Sequence, residues 1–167
     1  MSMELFVLSD RPLESIAEWQ QAITAAGFSL TLPAETPFEA LDGFLPVQLG
    51  ERSTGFECSH WDANEVMAEC PEIDFGRRWR HALSFRWGGA DPYQSPAVFM
   101  AGAAYAGATD GVVLDWEQGE LLTPQQAAEN ARVLEKEAPQ TAEMVRLLVQ
   151  RIEAEHAEKL RDKDSKK

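Results

Sequence analysis

Apolar positions in this chain come in short runs whose period switches between two and roughly 3.6, the mark of strands mixed with helices. Leu5-Phe6-Val7-Leu8 has no polar alternation and predicts a strand buried on both faces. Ser9 or Asp10 can cap the helix that follows, with Pro12 in its first turn, where the missing N–H leaves nothing unpaired. Leu13, Ile16, Ile23 and Ala26 recur at helical spacing, bridged by Ala17 or Trp19, and Gly27 supplies a left-handed stop. Phe28 to Leu32 alternates as a strand with one wet face, and Pro33 and Pro37 turn the chain. Phe44–Leu49 and Thr54–Trp61, separated by Gly50-Glu51-Arg52-Ser53, read as a hairpin.

The alternation then lapses. Asp62-Ala63-Asn64-Glu65 opens a short helix that ends near Glu69, before Pro71. Ile73, Phe75 and Trp79 follow among Arg77, Arg78 and Arg80, as an irregular, partly exposed excursion. From His81 to Trp87 a strand turns Leu83, Phe85 and Trp87 one way and Ala82, Ser84 and Arg86 the other. Ala97 to Ala108 is a helix of small residues. Its glycines each cost about 1 kcal/mol against alanine, so close seating on a sheet is expected of them. Val112–Leu114 and Leu121-Leu122 flank a turn at Trp116–Gly119. Thr123 caps the next helix, with Pro124 at its first position and Gln126 three residues beyond the cap. Pro139 predicts an interruption. A last helix from Thr141 to Leu160 carries Met144, Leu147, Leu148 and Ile152 on one stripe, widened by Val145 and Val149. That stripe suits docking on the domain or pairing with a second copy, and residues beyond Lys159 are expected to fray.

The order β-α-β-hairpin occurs twice, near residues 5–61 and 81–122. The fold class expected is therefore α+β: two such units share an antiparallel or mixed sheet with helices packed on one side, plus a C-terminal helix. The division expected is an acidic α+β domain over 1–137 and a C-terminal helix with a frayed charged tail over 138–167. At 167 residues, 44% of them hydrophobic, the chain buries enough surface to fold without metal or disulfide. No secretory signal is expected at its start, and Pro96 to Thr109 is too short to span a membrane. Cys58 and Cys70 are expected as reduced thiols in a cytoplasmic protein.

Net charge is −13, unevenly spread. Residues 1–137 hold 22 acidic and 8 basic side chains, whereas 138–167 hold 6 and 7. Such a field disfavours nucleic acid and anionic membranes and attracts basic partners, although solubility alone makes many proteins acidic. Candidate chemistry is sparse. Cys58 and His60 share a strand face, with Cys70 and His81 farther along, but zinc sites use tighter ligand pairs. Nothing marks either cysteine as an activated nucleophile. Gly88-Gly89 lacks the lysine and hydroxyl of a phosphate loop. Carboxylates are too plentiful for any pair to stand out. No catalytic residue, cofactor or metal is therefore expected. Tryptophans at strand ends are a better signal, because interface centres are rich in Trp. Trp61 with Asp62, Glu65, Glu69, Glu72 and Asp74, and Trp116 with Glu117 and Glu120, pair apolar anchors with negative charge.

The run LSFRWGGAD, an alanine-rich helix, then GVVLDWEQGELLTPQQA resembles small immunity proteins of bacterial polymorphic-toxin and type VI secretion systems. The matching residues are Arg86-Trp87-Gly88, Gly111-Val112-Val113-Leu114-Asp115, Gly119 and Thr123-Pro124; Asp110 stands where the pattern begins with glycine. The resemblance covers residues 83–127, 45 of the 167, and its motif is structural. It implies a stoichiometric inhibitor that protects the producing cell from its own toxin. The charge pattern in turn leads to the expectation that the acidic residues around 61–74 and 115–120, with Trp61 and Trp116, cover a basic cleft of that toxin. The alternatives are a small ligand-binding or regulatory α+β domain, which calls for an apolar pocket, and an enzyme, which calls for a buried acid or thiolate beside His60 or His81.

Overall fold

A computed structural model describes residues 2–166. Among these residues seven strands form one sheet: β1 (Ser2–Ser9), β2 (Leu30–Thr31), β3 (Asp42–Leu49), β4 (Arg52–Asp62), β5 (His81–Gly88), β6 (Val112–Asp115) and β7 (Glu120–Leu122). Their spatial order is β2-β3-β4-β5-β1-β6-β7, and every neighbouring pair is antiparallel. The two expected units interlock. Their first strands, β1 and β5, pair at the centre, and each lies beside the other unit's hairpin, β3–β4 next to β5 and β6–β7 next to β1.

The helices are α1 (Ile16–Ala25), α2 (Ala63–Ala68), α3 (Gln94–Thr109) and α4 (Pro124–Ser165). Because strand side chains alternate, β1 feeds two cores. Leu5 and Val7 join Phe56, Cys58, Leu83, Phe85 and Val113 under α1, α3 and the start of α4. Phe6 and Leu8 join Ala82 and Leu114 on the opposite face, where Ala63 and Val66 of α2, Cys70 and Trp79 cover them. The larger helices thus share one side, as expected, and only α2 and the excursion 69–80 lie on the other.

Small residues let α3 sit close. A Cβ on Gly102 would come within 3.1 Å of the Leu5 side chain. Two long-range hydrogen bonds tie α3 to the α1 region: Trp19 Nε1 donates to the Ala101 carbonyl at 3.0 Å, and the Leu13 N–H donates to the Tyr105 hydroxyl at 3.0 Å. The end of α3 constrains residues 110 and 111. Asp110 is left-handed, φ +53°, where glycine is the easier residue, and Asp is among the side chains that tolerate it. A Cβ on Gly111 would lie 2.3 Å from the Leu8 carbonyl oxygen, so that position admits only glycine.

Several boundaries differ from the sequence reading. The N-cap of α1 is Ser15, whose hydroxyl accepts the Glu18 N–H, and neither Ser9 nor Asp10. Ser9 is buried with its hydroxyl donating to the Arg11 carbonyl, Asp10 pairs with Arg77, and Leu13 is drawn into the core before the helix begins. Gly27 does close α1: its N–H reaches Thr24 and that of Phe28 reaches Ile23, the paired bonds of a Schellman ending. That ending consumes Phe28, so the expected strand shrinks to Leu30–Thr31. The Thr123 capping box with Gln126 forms. Pro139, however, lies inside an unbroken α4, which crosses the expected division at residue 138 and continues past Lys159 to Ser165. Glu135 and Pro139 are both exposed, so water can take the carbonyl that the proline leaves without a donor, while buried Ala138 anchors the turn. Among the described residues no helix is long and apolar enough to cross a membrane.

Candidate interaction face

Between the covered end of the second core and the β2 edge, no helix among the described residues lies over one face of the sheet. The register puts Glu4 of β1, Ser84 and Arg86 of β5, Glu57, Ser59 and Trp61 of β4, and Phe44 of β3 on this face. Phe44 is 63% exposed and Trp61 47%, unusual for rings of that size on sheet strands. Both are held in place. Phe44 lies over Gly55, where a Cβ would come within 2.3 Å of its ring, so the glycine is the slot for the phenyl group. Trp61 donates from Nε1 to the Ser59 hydroxyl at 2.9 Å and meets Phe6 edge-on at 6.5 Å. In the row of Phe44, beyond Glu57, Arg86 forms a 2.6 Å ion pair with Glu4, and Glu57 adds a second negative neighbour.

The candidate residues divide. Trp61 and Trp116 come together, because Phe6 lies against both rings, with Trp116 at 5.5 Å. Trp116 is half-buried and Trp61 open. Asp62 is spent on α2, accepting the Asn64 N–H at 2.8 Å, with its neighbour Glu65 exposed in the first turn. Glu69, Glu72 and Asp74 are exposed on the excursion, but Arg77, Arg78 and Arg80 share that segment. Arg77 pairs with Asp10 and stacks on Trp79. The excursion is therefore mixed in charge. Glu117 and Glu120 part from Trp116. The strand register turns Asp115 and Glu120 toward the helical face, and Glu117 lines a cleft there with Asp115, Trp87, Phe99 and Val133. That cleft is about 350 Å³. Burial, then the neighbouring Glu120 and Glu117, holds the Asp115 carboxyl above the usual range, against backbone N–H groups of Gln118 and Glu117 that pull it down.

Phe44, Glu57, Glu4 and Arg86 were missed by attention to strand ends. Their signal lay in alternation: Phe44 falls out of phase with Leu45, Val47 and Leu49, and Trp61 with Phe56 and Cys58.

The histidines sit elsewhere. His60 and His81 line an open cleft of about 650 Å³ with Leu13, Glu14, Phe38 and Glu39. His60 Nε2 lies 2.8 Å from the Phe38 carbonyl and its ring meets Phe38 edge-on, so one nitrogen is engaged structurally. Cys58 is in the core, where burial pushes its thiol well above the ordinary value, and Cys70 is raised by burial and by Glu72 and Glu69. Such thiols are poor nucleophiles. Among the described residues no group of three His, Cys, Asp or Glu side chains can hold a metal ion. Comparison with protein families, with curated proteins and with solved structures finds no match to this chain.

Proposed function

We propose that the chain is a non-catalytic binding protein, the immunity protein of a cognate secreted toxin, which it neutralises in the producing cell's cytoplasm by forming a stoichiometric complex. One observation carries this reading: a bare sheet face presents Phe44 and Trp61 on a body rich in carboxylates. Aromatic anchors that are fixed before contact lose little entropy on binding and supply most of an interface's energy. The acid excess favours a basic partner and speeds its approach. Trp61 contributes directly to this surface, Trp116 buttresses it, and Asp62, Glu65, Glu69, Glu72 and Asp74 add negative charge at its rim. Glu117 and Glu120 belong to the Asp115 cleft.

The test is co-expression with the toxin encoded beside the gene, followed by size-exclusion of the mixed proteins. The expected result is protection and a 1:1 complex, with Phe44→Ala plus Trp61→Ala weakening binding at least ~100-fold while the circular dichroism stays unchanged. Absence of both complex and protection would sink the proposal. A second reading, a small ligand-binding domain, draws on the Asp115 cleft, whose volume falls within the range of ligand sites. Mass spectrometry of the denatured purified protein, searching for a retained small molecule, distinguishes the two.

A further inference from the structure

The 42 residues of α4 make a rod about 63 Å long. Its first half docks through buried Ala127, Ala131 and Ala138 with half-buried Leu134 between them. Those positions are spaced four, three and four residues apart. The same alternation continues without a slip through Thr141, Val145, Leu148 and Ile152, then Glu155 and Lys159. This is the period of a coiled-coil seam. Beyond half-buried Val145 the seam has left the domain: Leu148 and Ile152 are each 56% exposed, and Met144 beside the seam is 70% exposed. An apolar stripe continuous with a packed interface is built to be covered, and its own domain does not reach it.

We propose that the free half of α4 pairs antiparallel with α4 of a second copy of this chain. The heptad spacing calls for another helix with the same spacing, and this chain supplies one. Charge sets the direction. In a parallel pair Glu155 would face Glu155 and Lys159 would face Lys159 across the seam, and two bodies with 22 acidic against 8 basic groups each would lie side by side. The antiparallel arrangement centres Leu148 and Ile152 on their counterparts. It brings Lys159 within about one helical turn of the second copy's Glu137 and holds the acidic bodies at opposite ends, more than a Debye length (~10 Å) apart. From Thr141 to Lys159 the seam is about 28 Å long, and pairing it buries on the order of 1,000 Å², the lower bound for a specific interface.

Sedimentation of the full chain tests this. The expected result is a concentration-dependent species of twice 18.6 kDa, abolished by Leu148→Glu with Ile152→Glu. Those positions are exposed in the monomer, so the variant keeps its fold, which circular dichroism checks. Glu137→Lys and Lys159→Glu should each weaken the dimer about tenfold, and the two together should restore it. An equimolar mixture of the Leu148→Cys and Ile152→Cys chains should cross-link between copies on oxidation, and Glu155→Cys alone should not. A chain that stays at 18.6 kDa up to roughly 100 µM, or a dimer indifferent to the Leu148 and Ile152 changes, overturns the proposal. Failure of the double charge swap to recover, or cross-linking at 155, overturns the antiparallel pairing.

Discussion

Tyr105 is buried in α3, and its hydroxyl accepts the Leu13 N–H just ahead of α1, so one oxygen couples two elements 92 residues apart. Burial outweighs that donor and pushes the phenol up to about 12 from its ordinary 10.0. A raised folded-state value means that the neutral form is the stabilised one. Tyr105 therefore contributes its full stability below pH 10, and the contribution is lost as pH climbs from 10 toward 12. Replacing it by phenylalanine leaves a buried N–H without an acceptor and should cost about 1–3 kcal/mol at pH 7. The same variant cannot ionise, so the gap to the native chain should narrow between pH 10 and 12. Denaturant melts at pH 7, 10 and 11.5 read both effects, and a gap constant with pH would refute the assignment. Nothing local in the sequence announces this residue, because its partner depends on how α3 lies over the loop before α1.

At the scale of elements, legibility follows the range of the interactions. Thr123, Pro124 and Gln126 specify a helix start among themselves, and the structure has that capping box. The Gly27 ending and the turn before Glu120 are equally local. Pro139 is different, since its effect depends on whether the carbonyl four residues back meets water or protein, which only the docking of α4 decides. Likewise, exposure of Phe44 and Trp61 depends on α2 stopping at Ala68 and on strand register, neither of which is written near those residues. The proline yields a prediction. Pro139→Ala restores the N–H donor to the Glu135 carbonyl and removes a penalty of up to about 3 kcal/mol. The gain should appear in the free half of the helix, as slower amide exchange over residues 140–160, with little change in the global melt because that half contributes little to either core. Unaltered exchange beyond residue 139 would mean that the proline imposes no local weakness.

For the whole molecule, the acid excess and the helical apolar stripe are segregated: the body carries the acid excess together with Phe44 and Trp61, and the balanced tail carries the uncovered stripe of Met144, Leu148 and Ile152. The two proposed contacts should therefore respond to salt in opposite senses. A basic partner reaching the bare sheet face is drawn by long-range attraction, so raising ionic strength from about 10 mM to about 150 mM, which shortens the screening length from ~30 Å to ~8 Å, should weaken that complex, chiefly by slowing association. Self-association joins two molecules of charge −13 through an apolar seam. Screening relieves their mutual repulsion and leaves the buried seam untouched, while the Glu137–Lys159 contacts are exposed and individually worth under about 1 kcal/mol. The dimer should tighten over the same range. Titrations of partner binding and sedimentation of the chain alone, at both salt concentrations, measure the two slopes. Partner affinity unchanged by salt would remove the electrostatic argument for a basic ligand. A dimer that loosens would place its energy in charge pairs, against the burial of Leu148 and Ile152.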